Sequence, residues 1–260
     1  MRKKISFLLF FLLCSASLFA QDKQKWQEKR STHFITYYRN APENFIDRVI
    51  NSSENYYSRI ADDLGFTRFS FWLWEERAKI YVYDNQQDFQ SATGQPSWSG
   101  GFAAVKQKTI ATFPFAQGFT ETILPHELCH IIFREFVGFD NYALPLWLEE
   151  GVAAYQEKNK YSGSNAFLRE AIKKNEFLPL TSLMNYGSAL GMQDNTAVLY
   201  YCEAFSIIDY LMREFGRERF IVFCQALRDK RNLESAVRTA YPYSNLQELG
   251  KAWEKHIKNE

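Results

Sequence analysis

Chemistry concentrates in the stretch Pro125-His126-Glu127-Leu128-Cys129-His130-Ile131-Ile132, which holds two of the four histidines in the chain. On a helix, residues four apart differ by about 400° of rotation, so His126 and His130 leave the same face one turn apart. That spacing offers two imidazole nitrogens to one metal ion. Glu127 lies about 100° around from His126, beside such an ion rather than on it, where its carboxylate can act as a base toward water. Leu128, Ile131 and Ile132 fall on other faces and can bury the helix, and Pro125 suits a first turn. A catalytic zinc takes three protein ligands and keeps a fourth position open. A downstream helix, Leu144-Pro145-Leu146-Trp147-Leu148-Glu149-Glu150-Gly151-Val152-Ala153-Ala154-Tyr155, carries two carboxylates that could be the third. Adjacent helical residues point about 100° apart, so Glu149 and Glu150 cannot both face the metal from one straight helix. Trp147 and Leu148 read as packing residues.

The elements that must position these groups change character near residue 119. Before it come β-rich runs at 33–38, 78–83, 101–105 and 109–113, separated by turn-formers such as Gly94-Gln95-Pro96 and Gly100-Gly101. A helix at 42–64, with Phe45, Ile46, Val49, Ile50, Tyr56, Tyr57, Ile60 and Leu64 near helical spacing, interrupts them, and a shorter one is expected at 85–91. After it the periodicity predicts helices at 120–137, 145–158, 164–174, 196–215, 217–229, 231–240 and 244–258. The expected fold is α+β: a strand-rich lobe over about 26–118 with a small mixed sheet, then a helical lobe over about 119–260.

Composition sets the outer bounds. Hydrophobic residues make up 46% and charged residues 23%, which excludes wholesale disorder. The 31 basic against 30 acidic residues exclude an electrostatic nucleic-acid binder. Residues 1–20 read as a secretory signal peptide: Arg2, Lys3 and Lys4, a short apolar run from Ile5 to Leu13, and small residues ending at Ala20-Gln21. Its loss takes the basic residues down by three to 28, against 30 acidic ones, a net charge of −2. No later apolar stretch reaches spanning length, so the expected protein, residues 21–260, is exported to the periplasm or outside. A lipid anchor on Cys14 is the rival reading of the same segment. Of the remaining Cys129, Cys202 and Cys224, the last two could pair across neighbouring helices; buried thiols are the simpler expectation.

His126-Glu127-Leu128-Cys129-His130 followed by Trp147-Leu148-Glu149-Glu150-Gly151-Val152-Ala153 resembles the gluzincin zinc metallopeptidases, and more closely the peptidase MA-like domains of exported bacterial proteins. Tyr201-Cys202-Glu203-Ala204-Phe205-Ser206, with Tyr210-Leu211 and Phe215-Gly216, looks like the helix that follows the zinc helices in such domains. The resemblance implies a thermolysin-like arrangement with one zinc per chain on His126, His130 and Glu150, the Glu directly before Gly. It implies Glu127 as general base, and Tyr201 as the donor to the developing oxyanion, with Tyr200 as its competitor. Where thermolysin-like enzymes place an Asp to orient a zinc histidine, this chain has Ala154. Glu157, seven residues after Glu150 and on the same helical face, is the replacement candidate. The strand 108–113 lacks the Gly-x-Met-Glu-Asn signature of the aminopeptidases, which turns the expectation toward an endopeptidase. The substrate of such folds commonly adds to an edge strand beside the zinc helix, here expected to be Thr109–Phe113. The implied partner is a peptide or protein substrate. The alternative is an inactive relative, with or without zinc, that binds peptide or an envelope protein in the same cleft. His33 and His256 have no ligand-like neighbours.

Overall fold

The structure is a computed structural model and describes residues 25–66, 72–157, 161, 163–187, 192 and 194–260. The expected signal segment and Cys14 lie outside the described residues.

Five strands form one mixed sheet: β1 (Gln27–Arg30), β2 (Phe34–Tyr38), β3 (Ala78–Val82), β4 (Gly101–Ala104) and β5 (Thr109–Thr112). Their spatial order is β1-β2-β3-β5-β4. The central pairs β2–β3 and β3–β5 are parallel, with Phe34 opposite Ala78 and Ile80 opposite Ile110. The outer pairs are antiparallel. This order corrects one expectation. The run beginning at Thr109 is not an edge; all four of its residues are buried, and β4 lies outside it. A strand covered on both faces has a continuous apolar or small-residue pattern, and that pattern cannot reveal which neighbour lies beside it.

Helix α1 (Glu43–Asp63) covers β2 with a face made of Phe45, Ile46, Val49, Tyr57 and Ile60. Helix α2 (Gln86–Thr93) has its start and stop encoded locally. The Asn85 side chain accepts the Asp88 N–H, and Gly94 at φ 71° turns the chain back onto the Gln90 carbonyl. After β5 a π-helical turn, Phe119–Ile123, leads directly into α3 (Leu124–Val137), which packs against both α1 and β4. The remaining helices are α4 (Leu146–Tyr155), α5 (Ser164–Lys173), α6 (Leu180–Leu183), α7 (Asp194–Lys230), α8 (Leu233–Ala240) and α9 (Leu246–Asn259). Gly216 (φ 76°, ψ 165°) breaks α7 into two helical stretches, at the boundary that the sequence predicts between 215 and 217. The α+β organisation is therefore as expected, although β1 and α6 lack the length or periodicity to stand out in the sequence.

Helix α4 carries the two candidate carboxylates and lies along α7, and Gly151 is the residue that lets it. A Cβ built there would collide with the Ala204 carbonyl oxygen and come within 2.9 Å of Ile208 Cγ1. Gly151→Ala gains about 1 kcal/mol of helix propensity but must push two packed backbones apart. We expect a net loss of about 1–3 kcal/mol, read as a lower urea midpoint. An unchanged midpoint would mean that the crossing is looser than described.

Candidate metal centre

Helices α3 and α4 run side by side, tied across their buried faces by the Cys129 thiol, which reaches the Val152 carbonyl at 3.5 Å. Burial pushes that thiol well up, so it stays protonated. Among the described residues Cys129, Cys202 and Cys224 are in no disulfide. The polar edge of the same pair gathers the candidate ligands. His126 Nε2 lies 3.0 Å from His130 Nε2. Glu150 Oε2 sits 3.4 Å from His126 Nε2 and 3.8 Å from His130 Nε2. Among the described residues this trio is the one group of histidine, cysteine and carboxylate atoms close enough to hold a metal ion.

Glu157 lies just beyond the end of α4, its N–H still bonded to the Ala154 carbonyl at 3.0 Å. The helix thus stops earlier than the expected 145–158 span, yet its last turn carries Glu157 far enough round for Oε1 to meet His126 Nδ1 at 2.7 Å. With Nδ1 turned to that carboxylate, Nε2 is the ring nitrogen that faces His130 and Glu150. Glu149 faces elsewhere. Arg134 holds both its oxygens, Nε to Oε1 at 2.7 Å and Nη2 to Oε2, while Oε1 lies 3.6 Å from His130 Nδ1.

The charge balance favours a cation. The His126 imidazole is pushed up to about 10: burial opposes its charge, but the carboxylates of Glu150 and then Glu157 outweigh burial, and Glu127 adds to them. Burial resists the charge on Glu150 as well, yet contact with His126 and the field of His130 hold its carboxyl below the usual range. Glu149, also opposed by burial, is held at about 2 by His130 and Arg134. The donor set fits zinc on geometric grounds too. Ligands at about 2.0–2.1 Å in a tetrahedron stand roughly 3.3 Å apart, and the three separations here bracket that value.

A cleft of about 210 Å³ opens on this centre, lined by Thr122 and Ile123 of the π-helical turn with His126, Glu127, Glu157, Tyr161 and Tyr201. Glu127 is half-buried and makes no side-chain hydrogen bond or ion pair among the described residues. The two adjacent tyrosines separate cleanly. Tyr200 is fully buried, and its hydroxyl has no partner among the described residues. Tyr201 lines the cleft, where burial and then the fields of Glu150 and Glu127 keep its phenol protonated. Tyr161 shares this wall and stacks on Phe205 with ring centres 5.1 Å apart. It belongs to a connection between helices without a motif, so nothing in the sequence singles it out. The other two histidines lie apart from the trio: His33 Nδ1 meets Glu54 at 2.6 Å and His256 Nε2 faces Glu260 at 3.3 Å. Among the described residues no helix is long and apolar enough to cross a membrane.

The comparison with curated proteins gives no match. A family model described as Peptidase MA superfamily matches residues 73–259, which include β3–β5, the metal centre and all the helices from α2 on.

Proposed function

Because the chain belongs to the peptidase MA superfamily, we propose that it is a zinc-dependent metallopeptidase of the gluzincin type, exported and cutting within peptide chains. The observation that carries this reading is the convergence of His126 Nε2, His130 Nε2 and Glu150 Oε2 beside a Glu127 that is unpaired among the described residues, on a cleft. When bound, zinc supplies Lewis acidity toward a water molecule and a peptide carbonyl.

The chain's own groups supply the rest. Glu127, which no side chain among the described residues holds, takes the proton of the attacking water and passes it to the leaving amine. Tyr201, kept protonated, donates a hydrogen bond to the oxyanion as the carbonyl becomes tetrahedral. Glu157 fixes the tautomer and orientation of His126, the role that Ala154 cannot fill. Arg134 holds Glu149 out of the ligand set. Helix α3 packs against β4, an edge strand whose outer side meets no further strand among the described residues and suits pairing with an extended peptide.

Digestion of a mixed peptide library tests this reading. Internal cleavage is expected, stopped by a chelator and restored by added zinc. A folded, zinc-loaded protein that cuts nothing across a diverse library would overturn it, and would favour a binding module built on the same cleft.

A further inference from the structure

A second cleft, about 450 Å³, opens at the opposite end of α4, where α4 begins and α3 ends. It adjoins the metal centre through Glu149, which lines it and lies 3.6 Å from His130. Its walls are partly apolar, with Leu146 on one side, and its lip carries two large exposed side chains, Tyr142 (81% exposed) and Met184 (38% exposed). Two arginines face into it, and they differ in one respect. Arg134 is neutralised by Glu149. Arg231 makes no side-chain hydrogen bond or ion pair among the described residues. The acid that senses both arginines, Asp140, is itself paired with Lys106. Among the described residues Arg231 is therefore a positive charge of the cleft with no ion-pair partner.

Arg231 also occupies a costly place. It follows the last residue of α7, its N–H returning to the Leu227 carbonyl at 3.0 Å with φ 46°. A left-handed backbone costs a side-chain-bearing residue about 1–2 kcal/mol, and glycine is the residue that relieves it. Among the described residues the arginine gains no ion pair in return, and it is exposed where it lines the cleft.

We propose that this cleft is a substrate subsite that selects a peptide carrying Glu or Asp close to the scissile bond, with Arg231 as the charge that recognises the carboxylate. The inference rests on the peptidase reading and narrows it to a substrate class. A partly apolar wall beside Arg231 matches an acidic side chain by covering its methylenes and pairing its tip. A basic residue would meet Arg231 directly and be rejected, so the same charge gives discrimination in both directions.

The test uses paired sets of short peptides that differ only by Glu against Gln at one scanned position. For the intact protein, kcat/KM should favour the Glu peptides about tenfold at one position, chiefly through KM. Arg231→Gln, a change at an exposed residue, should bring that ratio close to one. A ratio near one in the unchanged protein, or a ratio unaltered by Arg231→Gln, would overturn the assignment. Equilibrium binding of the same peptides to a Glu127→Gln variant separates this inference from the reading beneath it. If the protein cuts nothing, the peptidase reading fails. A Glu-over-Gln binding preference that disappears when Arg231→Gln is added still sustains the subsite. Equal binding of the two sets overturns it even where cleavage is found.

Discussion

Glu127→Gln is expected to keep zinc bound while peptide hydrolysis falls by about 10²–10⁴-fold. The expectation follows from where the side chain sits. Glu127 lines the cleft beside the three candidate ligand atoms but is not one of them, and no arginine, lysine or histidine side chain forms a hydrogen bond or ion pair with it among the described residues. The amide has nearly the same shape, so packing on α3 is undisturbed. What disappears is the ability to accept a proton. Zinc content per chain and kcat/KM on one cleaved peptide, measured on the same preparation, decide the matter. Turnover within a few-fold of the unchanged protein would assign the base to another group, and the nearest alternative on the cleft wall is Glu157.

His130→Ala acts on the other quantity. It removes one of three converging donors and leaves His126 and Glu150, too few for a site that needs three protein ligands to retain zinc. Zinc should fall from about one per chain to a small fraction of that after dialysis, and hydrolysis should vanish with it. His130 is half-buried at the polar edge of α3, while the apolar faces of that helix are made by Leu128, Ile131, Ile132 and Phe136. The variant should therefore remain folded, which circular dichroism can check. Stoichiometric zinc retained by this variant would place the metal elsewhere in the chain.

The site was more legible in the sequence than the sheet that supports it. His126 and His130 are bound to one helix face by rotation alone, and Glu127 must then lie beside them. The choice between Glu149 and Glu150 was not available from rotation, because it depends on which carboxylate meets Arg134, a contact between two helices. Tyr200 and Tyr201 posed the same problem. Neighbours on a helix point to different surroundings, and only the packing of α7 says which surroundings are solvent and which are core. Glu157 was reachable from helical spacing, although it meets His126 from the turn after the helix. Strand order was the weakest inference. β4 and β5 are both short runs of small and apolar residues, and their places in the sheet depend on crossovers whose direction the runs themselves do not encode. The second cleft was invisible, since its walls come from segments almost ninety residues apart, such as Tyr142 and Arg231.

The shortness of β4 has a consequence for what can be recognised. In an antiparallel pair, a strand turns alternate residues toward its partner, so a four-residue strand bound to β5 keeps the outward backbone groups of only about two residues. That is a ruler two residues long. An extended chain laid against it gains a couple of main-chain hydrogen bonds and little more. It cannot be gripped along a long stretch, and any preference among sequences must come from the pockets at either end of the ruler. Segments already folded into helices or sheets have their own backbone groups occupied and cannot be measured against it at all. In the proposed pairing the strand would restrict access by conformation, and the side-chain clefts around it by chemistry.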